Sequence, residues 1–558
     1  MDRQKKIEQV VVSAQQMRDI EGRIFAAGMP VAALMEKVGR LIAHRIVETL
    51  HATSPHHATS LHHATSPHHA TSLQGCAGIL VGPGHNGGDA LVVARELHFQ
   101  GYQVAIYAPF SKFKELTTSH LQYVESLGIR RYDSVEELLA YCDVLIDGLF
   151  GFGLERPLTD TVATVIDQIN QSSLPIISID LPSGLHTDTG EVLGTAIRAT
   201  YTLCLGLWKL GLLQDRALEY IGKAELIDFD IPLADIQAVL GDAPSIGRVT
   251  KELAIATLPL RRPPVTHKYK QGHLLLICGS RRYAGGAILT GLGARASGVG
   301  MLSIAVPESL KPLLVAQLPD ALIVGCPETA AGAIASLQLP ENTDLSSFDA
   351  IAVGPGLTIE ATPIVEEVLK CDRLLILDAD GLNILAKLGT IPTLTQRSAK
   401  TILTPHAGEF KRLFPDAGDP TRDRIGAVQA AASMSNAVVL LKGARTAIAH
   451  PTGMVWINPE STPALARGGS GDVLTGLMGG LIAQAQAAEN IAIDSTFEIF
   501  KQSDRQITID ALASVAAWWH SQAGIKAESD RSVMGVDAFT LTHYLLPVVS
   551  ELRLVGSN

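Results

Sequence analysis

Short apolar runs that end in glycine- and aspartate-rich turns, each followed by a helix-like stretch, recur along most of this 558-residue chain. An apolar run without alternation is buried on both faces, and strands of that kind occur in parallel sheets whose crossover helices cover them. The pattern therefore predicts an α/β fold. In the first half the runs are Gly78–Val81, Gln103–Tyr107, Cys142–Ile146 and Pro175–Ile179. In the second they are Leu274–Cys278, Asp349–Val353, Leu374–Leu377, Ile402–Leu403 and Val438–Leu441. The length exceeds what one core supports, so two or more domains are expected. Residues 231–250 are weakly periodic and carry Pro232, Gly241, Pro244 and Gly247, which predicts a first domain over 1–235, a linker over 236–250 and a second domain over 251–558.

Composition narrows the function classes. A net charge of −11 leaves no electrostatic footprint for nucleic acid, so small-molecule chemistry is expected. Fifty glycines with few aromatics suggest packing through small side chains. The six cysteines are far apart and form no metal-ligand spacing, which fits reduced thiols. No apolar run approaches a membrane span and no signal-like segment follows Met1, so a soluble, cytoplasmic protein is expected. Residues 14–50 read as two helices broken at Gly28-Met29-Pro30. Then comes a tandem repeat, HATSPH-HATSLH-HATSPH-HATSLQ, over His51–Gln74. Its seven histidines lack acidic or cysteine partners and an apolar face, so it reads as a disordered insertion rather than a metal site.

Three turns of the first half fall on one sheet edge if the strands are parallel. They are Gly82-Pro-Gly-His-Asn-Gly-Gly-Asp-Ala90, the segment from Asp147 to Pro157, and Asp180-Leu-Pro-Ser-Gly184. Ligands of open α/β sheets bind at the carboxyl ends of the strands. Asn86, Asp147, Asp180 and Ser183 can therefore meet in one crevice, where hard oxygens suit an alkali or alkaline-earth cation and Asp180 is left as acid/base. Each Asp taken singly also reads as a loop cap. The strand Gln103–Tyr107 ends without the acidic residue that an ordinary dinucleotide site places on the ribose, which argues against a standard NAD oxidoreductase.

The second half holds the most legible turn, Ala466-Arg-Gly-Gly-Ser-Gly-Asp472, which feeds a helix. Its glycines let a ligand approach the backbone, and the N–H groups of a helix start favour a phosphate. Asp472 beside such a cradle suits activation of a substrate hydroxyl. The same residues also read as an ordinary helix start with Asp472 as its cap.

These motifs carry a resemblance. The GPGHNGGD turn, Asp147-Gly-Leu-Phe-Gly, Asp180-Leu-Pro-Ser-Gly and Lys209-Leu-Gly-Leu-Leu resemble the NAD(P)H-hydrate epimerase family, with its Rossmann-like three-layer αβα fold. The resemblance implies that His85, Asn86, Gly87, Gly88 and Asp89, together with Gly151, Phe152, Gly153, Leu154, Glu155, Arg156 and Pro157, bind the hydrated nucleotide. It implies Asn86, Asp147 and Ser183 as potassium ligands and Asp180 as a substrate-contacting acid/base. His85 stands where the family usually has Asn, and Ala90 where it usually has Gly.

The motifs HKY-x-x-GH, GPG, DAD-x-LN, TPH-x-GE, LKG-x-x-T and GGSGD, in this order, are similar to the ribokinase-like superfamily and most closely to its NAD(P)H-hydrate dehydratase branch. That likeness implies a ribokinase-like αβα domain in which Gly286, Gly356, His406 and Asp472 contact the hydrate. Lys442, Gly443, Ala444, Arg445, Thr446 and Gly471 would hold ADP, brought in with Mg2+. Residues 486–509 look like an insertion. Both resemblances imply one substrate class, NADH or NADPH hydrated at the nicotinamide ring, and a homo-oligomeric repair enzyme that epimerises and then dehydrates it. The alternative is a vitamin-precursor kinase fused to a non-catalytic nucleotide-binding domain.

Overall fold

The computed structural model describes residues 3–52, 75–260, 262, 264–488, 491–492 and 507–555. The repeat lies outside the described residues from position 53 onward, and most of the stretch 486–509 does as well. The chain forms two compact units that divide between Gly241 and Asp242.

In the first unit, Ser13 and Gln16 cap the helix Ala14–Ala26 reciprocally, and Gly28 and Pro30 separate it from the helix Val31–Ala52. Seven strands then form a wholly parallel sheet. Its spatial order is Arg130–Tyr132, Gln103–Tyr107, Cys76–Val81, Val144–Gly148, Ile176–Ile179, Tyr201–Leu205, Lys223–Ile227. Every residue of Cys76–Val81 is buried, as its unbroken apolar run requires. Full burial of a side chain such as Leu80 contributes about 1.5–3 kcal/mol. The direction of winding reverses between Cys76–Val81 and Val144–Gly148, so a crevice opens beyond their carboxyl ends. The helix after the first of these strands spans His85–Phe99, so Asn86 to Asp89 are helical rather than part of a loop. Gly87 and Gly88 hid this from the sequence, yet the structure needs them small. A Cβ on Gly87 would lie 1.9 Å from the Gly82 carbonyl oxygen, and one on Gly88 would meet the Met35 methyl at 2.6 Å.

The second unit is built on ten strands. Their order is Ile246–Arg248, Val455–Ile457, Ala447–Ala449, Val438–Leu441, Thr401–Leu403, Leu374–Leu377, Ala350–Val353, His273–Ile277, Met301–Pro307, Leu322–Cys326. The sheet is not parallel throughout: Ala447–Ala449 runs antiparallel to both neighbours. Neither Ala447–Ala449 nor Val455–Ile457, three residues each, runs into a motif-bearing turn of the kind that marked Ile402–Leu403. The stretch expected as a linker likewise contains structure, the end of the helix Leu233–Leu240 and the edge strand Ile246–Arg248. The winding reverses between His273–Ile277 and Ala350–Val353, where the helix Ser470–Ala487 packs against both strands. Glycines set how closely that helix approaches the helix Ala284–Ser297. A Cβ at Gly476 would sit 1.8 Å from the Thr290 carbonyl oxygen, and one at Gly480 would sit 2.0 Å from Ser297 Oγ. Part of the glycine-rich stretch is thus helix packing. Among the described residues no helix is long and apolar enough to cross a membrane.

Candidate functional site

The crevice of the first unit is a cavity of about 640 Å3. His85, Asn86, Asp89, Gly151, Phe152, Gly153, Leu154, Arg156 and Asp180 reach its wall. Gly87, Gly88, Asp147 and Ser183 lie behind it, buried, while Glu155 and Pro157 are exposed. Asp180 is the residue directly after the strand Ile176–Ile179 and has φ +70°, a conformation that costs free energy and clusters at functional sites. Its carboxylate is almost wholly buried. One oxygen lies 2.6 Å from Lys209 Nζ, and the other accepts the Phe152 N–H at 2.9 Å. Burial would pull the Lys209 ammonium down, but the charges of Asp180 and Cys204 outweigh it and hold its pKa above the ordinary value. A Cβ on Gly151 would be 3.1 Å from both Asn86 Oδ1 and Asp180 Oδ2, so this glycine keeps the space between the two groups open.

Behind the wall, the Asp147 carboxylate accepts hydrogen bonds from the Ser183 hydroxyl (2.6 Å) and N–H (2.9 Å), the Ser178 hydroxyl (2.8 Å) and the Leu149 N–H (3.2 Å). Burial pushes its pKa up against those hydrogen bonds. The Asn86 amide nitrogen is buried without a partner among the described residues. No group of three or more His, Cys, Asp or Glu among the described residues is arranged for a metal ion. A cation held by Asn86, Ser183 and Asp147 would meet an amide and a hydroxyl oxygen with one carboxylate, a hard donor set of low charge that fits an alkali ion better than a divalent one.

In the second unit Gly469, with φ +91°, turns the chain into the helix Ser470–Ala487, and Asp472 sits in its first turn. The N–H groups of Gly471 and Asp472 take no hydrogen-bond partner among the described residues, which leaves donors for an anion. Burial pushes the Asp472 pKa up to about 7; Asp378 adds to the shift and Lys442 opposes it. Lys442 Nζ donates to Asp378 Oδ1 at 2.7 Å, and Thr475 of the same helix donates to Asp378 Oδ2 at 2.7 Å. Asp378 is buried, but Lys442 and the Thr475 and Thr404 hydroxyls hold it below the usual carboxylate range. Lys442 is held above its ordinary value, because Asp378, Glu409 and Asp472 outweigh its burial.

The small residues leave this cluster open. A Cβ on Gly471 would lie 3.3 Å from Lys442 Nζ, and one on Gly286 would lie 3.3 Å from Asp472 Oδ2 and 3.9 Å from Gly356 Cα. Gly286, Gly356, Gly471, Lys442 and Asp472 are thus gathered at one place. His406 is exposed and caps the helix Ala407–Leu413: its Nδ1 accepts the Gly408 and Glu409 N–H groups. Gly443 and Ala444 are exposed, Arg445 is half-buried, and the Thr446 hydroxyl closes their turn by donating to the Gly443 carbonyl at 2.9 Å.

Several polar residues at these sites were not singled out in the sequence. Arg18, Glu21 and Lys114 line the first cavity, as does Lys209, which the motif contained without a role. Glu21 did leave a signal, an acid beside the buried positions Met17, Ile20 and Ile24 of its helix. Asp378 lies in the DAD-x-LN motif and Glu409 in TPH-x-GE, but only the fold brings them to Lys442.

Comparison with known proteins finds a match for each half of the chain. The family described as NAD(P)H-hydrate dehydratase matches residues 274–546, and the YjeF-related protein N-terminus matches residues 31–211. The bifunctional NAD(P)H-hydrate repair enzyme Nnr of Synechocystis sp. is 52% identical over 541 residues, covering 97% of this chain and 95% of that protein. Its counterpart in Thermosynechococcus vestitus is 50% identical, covering 97% of each. The crystal structure of an ADP/ATP-dependent NAD(P)H-hydrate dehydratase from Bacillus subtilis, co-crystallized with ATP/Mg2+, is 32% identical, covers 54% of this chain and 96% of that one, and superposes with a TM-score of 0.44. With both halves matched and relatives of this identity aligned along nearly its whole length, the chain belongs to the bifunctional NAD(P)H-hydrate repair enzymes.

Proposed function

We propose that the first unit interconverts the R and S epimers of hydrated NADH and NADPH, and that the second dehydrates the S epimer at the expense of ADP, giving AMP and phosphate. The observation that carries this reading is the presence of two separate acid/base centres, Asp180 with Lys209 and Asp472 with Lys442 and Asp378, each at the carboxyl edge of its own sheet.

In the second unit Asp472 takes the proton of the C6 hydroxyl while that oxygen attacks the terminal phosphoryl group of ADP. The free N–H groups of Gly471 and Asp472 and the Lys442 ammonium steady the transferred charge. Phosphate then leaves C6, pushed by the ring-nitrogen lone pair, and loss of a C5 proton restores the double bond. Lys442, Gly443, Ala444, Arg445, Thr446 and Gly471 hold the nucleotide, which enters with Mg2+ as charge neutraliser; Gly286, Gly356 and His406 face the hydrate.

In the first unit Asp180 serves the C6 centre, and the residues His85 to Asp89 and Gly151 to Pro157 bind the dinucleotide. Asn86, Asp147 and Ser183 would hold potassium, which supplies positive charge beside the bound substrate. A cytoplasmic, homo-oligomeric enzyme completes the reading. The test is product analysis with each pure epimer. The S epimer with ADP should give one AMP and one phosphate per NADH, and Asp472→Asn should slow this by roughly 100- to 10,000-fold. The R epimer without ADP should relax to the mixture, and Asp180→Asn should slow this to the uncatalysed rate. A phosphorylated organic product with no NADH would support the kinase instead.

A further inference from the structure

One half-buried acid of the first cavity takes no part in the chemistry proposed for Asp180. Glu21 lies on the helix Ala14–Ala26 and lines the same cavity as Asp180 and Lys209. That helix is fixed with respect to Lys209. Val11 and Val12, just before it, pair in parallel with Trp208 and Lys209, and the Ala14 N–H donates to Asp188 Oδ1 at 2.7 Å. Among the described residues the Glu21 carboxyl takes no hydrogen-bond partner. The cavity thus gathers three carboxyl groups, Glu21, Asp89 and Asp180, about one fully buried ammonium, Lys209. Lys209 is paired with Asp180, so it cannot neutralise the other two equally.

We propose that Glu21 is the second catalytic residue of the epimerisation, carrying the proton that Asp180 cannot. This rests on the epimerase reading of the first unit. The hydrate is a carbinolamine, with C6 bonded to both the hydroxyl and the ring nitrogen N1. The Asp180 carboxylate removes the hydroxyl proton, the O–H electron pair forms the C6=O double bond, and the C6–N1 pair passes to N1, which takes the proton of the Glu21 acid. Rotation about C5–C6 turns the other face of the aldehyde to N1. N1 then adds to C6 and returns its proton to Glu21, while the new alkoxide takes back the proton from Asp180. Atoms, charge and both residues end as they began, so no co-reactant is needed.

The surroundings of Glu21 suit an acid, since a carboxyl group buried away from a counter-charge keeps its proton to higher pH. Burial pushes the Glu21 pKa up to about 7, Lys209 opposes this and Asp180 adds to it. Asp89 is raised well above its usual value by burial, with Asp180 and Glu21 contributing. The other charged or titratable groups on the cavity wall are Arg18 on the same helix, His85, Lys114 and Arg156. The Glu21 acid that the step requires is lost as pH rises through about 7.

The test compares wild type, Glu21→Gln, Glu21→Asp and Asp180→Asn in the full chain, following R-to-S conversion between pH 5.5 and 9 over the uncatalysed background. Dehydration of pure S epimer with ADP serves as the control for an intact second unit. Wild-type kcat/KM should fall above about pH 7. Glu21→Gln should lower it by roughly 100- to 10,000-fold and remove that limb, whereas Glu21→Asp should restore part of the rate and the limb. A Glu21→Gln enzyme within threefold of wild type that keeps the high-pH limb overturns the assignment, and so does a Glu21→Asp enzyme no better than Glu21→Gln. If wild type itself does not interconvert the epimers while dehydrating the S form, the epimerase reading falls, and this inference falls with it.

Discussion

Replacing Lys209 by Met should destabilise the first unit more than almost any other single change to a polar side chain there. Lys209 is fully buried, and Asp180 is 3% exposed at the side chain. Their charges are 2.6 Å apart, which at an effective permittivity of about 20 is an attraction of roughly 6 kcal/mol. Methionine fills the space but leaves the Asp180 carboxylate buried without its counter-charge. Breaking a buried pair on one side costs about 3–5 kcal/mol, because the abandoned group relaxes or takes up a proton. For a unit of this size about 1 kcal/mol moves the melting point by ~2–4 °C, so the first-unit transition should fall by roughly 10 °C. Scanning calorimetry of the full chain reads this, with the second-unit transition as internal reference. Adding Asp180→Asn should recover most of the loss, since both charges are then gone and Asn accepts the positive φ. A single variant that melts within 1 °C of wild type, or a double variant as unstable as the single, would refute the reasoning.

Other outcomes follow from the same structure. Asp472 must be ionised to act as base, so dehydration should decline as pH falls through about 7, and Asp472→Asn should lower kcat by roughly 100- to 10,000-fold at pH 8. The same raised pKa means that the folded form disfavours the Asp472 charge. The second unit without ligand should therefore lose stability as pH rises from about 4 to 7, and Asp472→Asn should flatten that dependence in denaturant titrations. Gly476→Ala, whose Cβ would lie 1.8 Å from the Thr290 carbonyl oxygen, should cost at least about 1–3 kcal/mol by urea unfolding. Gly468→Ala, with nothing within 4 Å, should be nearly neutral to folding. Exchanging potassium for lithium should slow R-to-S conversion and leave ADP-dependent dehydration of the S epimer unchanged, measured separately.

Much of the chain's architecture was legible where a buried strand runs into a glycine- or aspartate-rich turn, whereas Met301–Pro307, long and buried but followed by no such turn, was not. Val438–Leu441 and Leu374–Leu377 were readable to the residue, because an unbroken apolar run bounded by turn residues has few other uses. Ala447–Ala449 and Ile246–Arg248 were not, since three residues carry no period and, unlike Thr401–Leu403, these run into no motif-bearing turn. The helix start at His85 was masked by Gly87 and Gly88, which the sequence presents as a loop and the fold uses for close contact with Gly82 and Met35. At the sites, turn residues such as Asp180 and Asp472 stood out because a strand end or glycine turn leads directly to them. Glu21 and Lys209 did not, because their chemistry comes from burial beside each other's partners, and burial is a property of the fold.

The most direct test of the central claim is the full time course of NADH regeneration at 340 nm from a mixture of both epimers with ADP and potassium. The account predicts that wild type restores all the NADH at one ADP per molecule. It predicts that Asp180→Asn stops at the S share and then continues only at the uncatalysed rate of epimer exchange. Wild type that halts at the S share would contradict the epimerase assignment, and wild type that regenerates nothing with ADP or ATP would contradict the dehydratase.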